Sequence, residues 1–476
     1  MSDSESQSEL LIPESGSFRD RNGRIMYAGN RVYRGLRAGA YDDWIALSRT
    51  QFFRHYVDSG SVVQTREIGM GQFANEENLG SWSAMLEHER VPFISYPYEW
   101  SFSMLKNAAL LQLQLLDAAL LERMSMKDAS SFNIQWTGSR PVFIDITSFE
   151  RCKAGDPWAG YLQFCKMYLY PLILQAYKNI PFHPLLRGNI DGIEPAVMRN
   201  LVTVLDYLRP GIFADVYLQA KLQKRYAKSS MTLRADLGRS GFSAEMIRSN
   251  VGRLKKIING LKWAQSASEW SEYTREYGYA PEDAGRKSAF VEQALREKKS
   301  NLVWDLGCNT GTYSRLASKY ASYVVAMDSD HLAIERLYDS LSNENCRTIL
   351  PLVMNLADPS PALGWRSKER KSLPERGNPD CTLCLALTHH LVIGGNIPLR
   401  ELIGWLCSLG GDLVIEFVSK QDPMTQRLLR NKDDQYHDYD VSSFEQYLRE
   451  YFAVVSEPQI LATGTRLLYF CRNPRE

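Results

Sequence analysis

The sequence predicts an α/β protein, with a C-terminal Rossmann-like, doubly wound parallel sheet preceded by a separate α+β domain. Three observations carry this prediction. The stretch Asn301–Asp330, NLVWDLGCNTGTYSRLASKYASYVVAMDSD, reads as strand, glycine turn, amphipathic helix, β-branched strand and terminal acid. From there to Arg472, apolar runs alternate with helical stretches and end in two runs that fit an antiparallel pair. Ahead of it, short β segments are followed by a long helix that is apolar on most faces. A chain of 476 residues has room for two or three domains. The expected division is a disordered tail over 1–20, an α+β domain over 21–210, a basic helical connector over 211–265 and the Rossmann-like domain over 266–476.

Met1 to Arg19 is rich in Ser, Glu and Asp and poor in large apolar residues, hence the tail. RIMYAG and NRVYRGL read as β segments, Ala40–Asp58 as helix and Val62–Ile68 as strand. Gly69–Gly80 has turn chemistry and is expected as loop, and VPFISYPYEW, Val91–Trp100, as an extended aromatic stretch before the buried helix Ser103–Glu122. Lys221–Lys262 carries eleven basic residues against only Asp236 and Glu245, which makes it either a solvated helix face or a patch for an anionic partner.

Lys plus Arg totals 56 and Asp plus Glu 55, so no global basic field of the kind bulk nucleic-acid binding requires is present. The eight cysteines are scattered, and the one C-x-x-C, Cys381–Cys384, sits in a strand-like run where residues three apart face opposite sides. Buried free thiols in a reducing compartment are the expectation. No apolar run reaches the ~18 to 20 residues of a membrane span, and the longest, near Ala108–Leu121, is broken by Gln112, Gln114 and Asp117. A soluble cytoplasmic protein with no membrane partner is expected.

In the Asn301–Asp330 unit, Gly307 and Gly311 let backbone approach a ligand, and Asn309 tolerates a left-handed conformation. Asp305, just before the first glycine, repels a phosphate and suits an ammonium group, while Asp328 is placed for a ribose diol. DLGCNTG therefore departs from the dinucleotide G-x-G-x-x-G pattern. It resembles the first two motifs of class I S-adenosylmethionine (SAM)-dependent methyltransferases, with Asn309 replacing the middle glycine; another Rossmann-like ligand domain is the alternative. The resemblance spans Leu302–Arg472 and implies SAM as cofactor and a seven-stranded sheet. It also implies that Asp358, more than Asn355, meets the adenine amine. The segment Trp270–Phe290 suits a helical flap, with Trp270, Tyr273, Tyr277 and Lys287 as candidates. The expected fourth strand, Cys381–Leu387, delivers Thr388, His389 and His390 to the crevice. Either histidine, and His389 first, is a candidate base for an oxygen acceptor. THHL stands where an Asn-Pro-Pro-Tyr-like motif would mark amino methylation. Ser360–Asn378 reads as a polar loop.

A second motif lies at Met126–Glu150. Asp128, Asn133 five residues on, a hairpin turn at Thr137–Ser139 and then Asp145 resemble the catalytic loop and metal-binding strand of protein-kinase-like phosphotransferases. The resemblance implies that Asn133 and Asp145 hold magnesium, with nucleotide, and that Asp128 orients an acceptor. No glycine-rich loop precedes them, Arg34 and Arg37 stand where a nucleotide-binding lysine belongs, and Ile-Thr follows Asp145, so a degenerate domain is expected. Short polar residues that merely cap a loop explain the same pattern.

The blocks YPYEW, KDASSFN, FIDITSFE, DLGCNTG and ALTHHL together resemble a bacterial group related to a rhizobial host-specificity nodulation protein. Three functions follow from these resemblances: a methyltransferase acting on an oxygen of a small molecule or glycan, a nucleic-acid or protein methyltransferase using residues 221–262, or a ligand-binding regulatory protein without turnover.

Overall fold

The computed structural model describes residues 10–69, 73, 82–153, 155–226, 243–264 and 280–473. The N-terminal half opens with a five-stranded antiparallel sheet of order β1-β2-β3-β5-β4, formed by β1 (Ile12–Pro13), β2 (Gly23–Ala28), β3 (Arg31–Leu36), β4 (Thr65–Ile68) and β5 (Ala84–His88). Within the stretch expected as tail, residues 11–13 are ordered. Ile12 pairs with Tyr27 and Leu11 is buried, because one apolar residue on an edge strand suffices to fix it. Two small pairs follow, β6 (Met124–Met126) with β9 (Phe149–Arg151), and β7 (Ile134–Thr137) with β8 (Arg140–Phe143).

The helix Phe102–Leu121 starts where the Ser101 hydroxyl accepts from the Met104 amide. It is the one described helix long and apolar enough to cross a membrane, but 61% of its apolar window is buried inside the fold. A helix apolar all round is here a core helix. The basic helix Ala244–Gly260 packs on it through Ile247, Val251, Leu254 and Ile258. The Arg248 guanidinium and Lys255 ammonium both reach Asp117, at 2.8 and 3.0 Å, and Arg253 clamps the buried Asp215. The connector is therefore part of the N-terminal core, and three of its cations are committed to buried or half-buried acids.

The C-terminal sheet runs β12-β11-β10-β13-β14-β17-β15. Its strands are β10 (Ser300–Leu306), β11 (Ala321–Asp328), β12 (Ile349–Val353), β13 (Cys381–Cys384), β14 (Asp412–Val418), β15 (Val454–Val455), β16 (Gln459–Leu461) and β17 (Arg466–Arg472). Strands β10 to β14 are mutually parallel, and β17 lies antiparallel to β14. The sheet has eight strands where seven are expected: β16 pairs with β17 beside β15, because the chain between them stays extended.

Side-chain alternation along these strands serves two different cores. Val303, Val324, Ala326, Leu383 and Val414 face Val291, Leu295, Ile334 and Leu337 of the covering helices. Trp304, Leu306, Val325, Met327 and Leu350 belong instead to a core continuous with the N-terminal half. There the Phe93 ring meets Trp304 edge-on at 6.0 Å, and Trp136 meets Tyr338 at 5.6 Å. The β7–β8 turn presses on the C-terminal half. A Cβ on Gly138, whose φ is +61°, would lie 2.5 Å from the Arg347 backbone, and the Gly138 amide donates to the Tyr323 hydroxyl.

Ser360–Asn378 is more than the polar loop the sequence predicts. It is an arm laid on the N-terminal half, where Arg376 forms a two-pronged ion pair with Glu99, each side chain 1% exposed. Lys371 pairs with Glu14, and Arg19 with Glu369.

Candidate ligand crevice at the strand carboxyl ends

Strand β10 ends at Asp305 and Leu306, and the chain then folds over the end of its neighbour β11. The Gly307 and Cys308 amides both donate to the Met327 carbonyl, at 2.8 and 3.0 Å. Asn309 takes the left-handed conformation, φ +49°, and its amide donates to Asp328 Oδ2 at 2.8 Å. Gly311, φ +84°, starts the helix Thr312–Ala317. A Cβ there would stand 2.6 Å from Leu337, so only glycine fits both the conformation and the space. Asp305, Gly307, Asn309, Gly311 and Asp328 are thus brought to one place.

Two acids define this place, one buried and one half-buried. Asp305 is 2% exposed and accepts the Ser314 hydroxyl at 2.5 Å. Burial pushes its pKa up to about 6, and the nearby Asp328 charge adds to the effect. Asp328 is also raised by burial, opposed by the Asp330 and Asn309 amides, each of which holds one carboxylate oxygen at 2.8 Å. Each oxygen keeps acceptor capacity for a further donor.

Lys287, expected in a covering flap, lies on the helix Pro281–Arg296 and goes further inward. Its ammonium stands 2.7 Å from Glu416 at the end of β14, with side chains 3% and 0% exposed, and 5.0 Å from the Tyr313 ring centre. Burial lowers the Lys287 pKa against the pull of Glu416. Glu416 is not among the candidate site residues read from the sequence, although an acid inside the buried run LVIEFV demands a partner. Trp270, Tyr273 and Tyr277 lie outside the described residues.

The fourth strand stops at Cys384, short of the expected Leu387, because Ala386 turns left-handed at φ +51°. His389 follows fully enclosed, with neither ring nitrogen hydrogen-bonded to protein and its ring 3.9 Å from that of His390. Burial drives its pKa well below the ordinary value, and His390 and Arg466 push the same way. His390 is half-buried, with its pKa lowered to about 4 by the same cause. Of the two, His390 keeps partial access to solvent and His389 has none. The Asp358 side chain is 70% exposed and gripped by both Arg187 nitrogens at 2.9 and 3.0 Å.

In the N-terminal half, Asp128, Asn133 and Asp145 do approach one another. Asn133 bonds Ser148, which donates to Asp145 Oδ2, and burial raises the Asp128 pKa with help from the Asp145 charge. The Asp145 carboxylate offered for magnesium has protein partners of its own. Arg34 on β3 lies 2.5 Å from Asp145 Oδ1, and Thr147 and Ser148 also donate to that carboxylate. Burial raises the Asp145 pKa, but Arg34 and the two hydroxyls outweigh it and hold it below the usual range. Among the described residues, no group of three or more His, Cys, Asp or Glu is placed to hold a metal.

No protein-family model matches the chain. It is 32% identical over 464 residues to the nodulation protein NoeA of Rhizobium meliloti (strain 1021), an alignment covering 96% of each chain. The chain belongs to the NoeA family. Among solved structures it is similar to the N-methyltransferase NodS from Bradyrhizobium japonicum WM9, at 14% identity over 41% of this chain and 98% of that one, with a TM-score of 0.30. It is similar at 17% identity to the magnesium protoporphyrin IX methyltransferase ChlM from Synechocystis PCC 6803, over 43% of this chain and 94% of that one, with a TM-score of 0.29. For the bifunctional kinase-methyltransferase WbdD the figures are 18%, 46% of each chain and a TM-score of 0.31.

Proposed function

We propose that this protein is a SAM-dependent methyltransferase that binds its cofactor over the Asp305–Gly311 turn and transfers the methyl group to an oxygen of a small molecule or glycan. The observation that carries the proposal is the placement of Asp305 and Asp328 at the carboxyl ends of two adjacent parallel strands, around a left-handed turn. The donor set fits a cationic ligand. Asp305, Asp328 and Glu416 bring three carboxylates to this end of the sheet, Lys287 answers Glu416, and burial, with the Asp328 charge beside it, raises the Asp305 pKa.

SAM supplies a methyl group on a sulfonium centre, displaced in line by the acceptor. Asp328 has acceptor capacity for a ribose diol beyond its two backbone donors, and Gly307 and Gly311 give the turn its left-handed backbone beside it. An imidazole with a pKa near 4 is neutral at physiological pH. A hydroxyl becomes strongly acidic as its oxygen gains the methyl group, so the weakly basic His390 suffices to take that proton. In the N-terminal half, the same reasoning favours a phosphotransferase-like loop that has lost turnover, because Arg34 neutralises the acid that a metal would need.

Calorimetric titration with SAM tests the proposal directly. Binding is expected in the wild type, weakened by Asp328→Ala by the roughly 1.5 to 3 kcal/mol of charge-assisted hydrogen bonds. A preference for NAD over SAM would sink it. Labelled SAM incubated with fractionated extract then identifies the acceptor.

A further inference from the structure

The segment from Pro195 to Lys221 carries an apolar ridge that nothing in the crevice uses. Val204, Leu205 and Leu208 are 77%, 81% and 89% exposed, and Val197 and Phe213 beside them are about half exposed. The ridge is built rather than frayed. Asp206, itself buried, accepts from the Thr203 amide and hydroxyl at 2.7 and 2.8 Å and from the Lys178 ammonium at 2.7 Å. Pinning that acid inward pins Leu205 outward, with Leu208 three residues on.

The exposed charge carried by the ridge segment itself is cationic. The only acids between 195 and 221 are Asp206 and Asp215, both buried and paired, with Lys178 and Arg253. Arg199 and Lys221 are exposed, and the Arg209 side chain is 46% exposed. The helix Ala244–Gly260 adjoins this region, where Ile257 packs against Gly211, and adds the exposed Lys256, with Lys262 just beyond its end.

We propose that this ridge seats on the surface of an anionic lipid bilayer, with Leu205 and Leu208 entering the headgroup boundary and the arginines and lysines meeting lipid phosphates. Apolar side chains more than three-quarters exposed stand on a convex crest and do not shield one another, which suits insertion into a fluid boundary rather than a flat protein face. Among the described residues the exposed cations Arg199, Lys221, Lys256 and Lys262 outnumber the flanking acids Glu194, which Lys166 answers, and Glu245, so the surface complements anionic lipid and disfavours a second copy of itself. The expectation of no membrane partner concerned a spanning helix. A peripheral contact needs only this crest and its flanks.

The test is sedimentation of the full chain with phosphatidylcholine vesicles, with and without phosphatidylglycerol. Binding is expected only with the anionic lipid, weakening as salt rises. Leu205→Ser/Leu208→Ser should reduce partitioning by roughly tenfold or more, and Arg199→Gln/Arg209→Gln should also weaken it. The leucine variant should keep the wild-type melting temperature, since Leu205 and Leu208 are exposed. Absence of wild-type binding to anionic vesicles overturns the proposal, and so does binding that the leucine variant retains. A solution dimer that the leucine variant dissociates overturns it in favour of an interface between copies.

Discussion

The Lys287 ammonium lies 2.7 Å from the Glu416 carboxylate, and both side chains are closed off from solvent. This pair ties the helix before β10 to the end of β14, across the crevice. Removing one partner leaves a buried charge unanswered, so Lys287→Met should destabilise by about 3 to 5 kcal/mol. Lys287→Met/Glu416→Leu should recover most of that loss. Urea denaturation of the three proteins reads the difference, and equal midpoints would show that the pair is not coupled.

Asp305 should make stability fall as pH rises. Its pKa stands at about 6 in the fold against 3.8 in the unfolded chain. Below about pH 4 both states hold the proton; between there and about pH 6 the unfolded state releases it first. The contribution is complete below the lower value and lost through the upper one, on the order of 2 to 3 kcal/mol. Asp305→Asn, which can still accept from Ser314, should flatten this window. A cationic ligand favours the ionised carboxylate, so SAM affinity should rise with pH through about 6 and binding should release a proton.

His390→Ala should lower turnover by about a hundredfold with SAM affinity unchanged, the usual scale for acid–base catalysis. His389→Ala should lower the melting temperature more than turnover, since that ring fills a closed space. Because burial displaces both imidazoles downward, the rate profile should show no inflection near pH 6.5 from either. Wild-type turnover in both variants would place the base elsewhere.

Arg34 and Asp145 form the matching test in the N-terminal half. Asp145→Ala strands a guanidinium that is only 10% exposed and should lower the melting temperature. The depressed Asp145 pKa means that its stabilisation is present above about 3.8 and lost as pH falls through the lower, folded value. SAM binding should be untouched. Magnesium-dependent ATP turnover abolished by Asp128→Ala would show a live phosphotransfer site instead.

The shared core predicts one unfolding transition for both halves. A fragment beginning at residue 280 would expose Trp304, Leu306, Val325 and Leu350 on one sheet face and should not fold alone. Arg376→Met should destabilise the whole chain, since it leaves Glu99 buried and unpaired.

What the sequence determined by itself was local. The DLGCNTG turn, the acids Asp305 and Asp328 and the alternation of parallel strands and helices act over a few residues, through backbone conformation and side-chain period. The start of the fourth strand at Cys381 was legible for that reason. Tertiary structure alone decided which charges meet. Glu416 finds Lys287 across 129 residues, Asp145 finds Arg34 across 111, and Glu99 finds Arg376 across 277. It also decided that His389 is enclosed and that residues 360–378 clamp the N-terminal half. Long-range ion pairs and burial carry no periodic signal, because they depend on which surfaces the finished fold brings together.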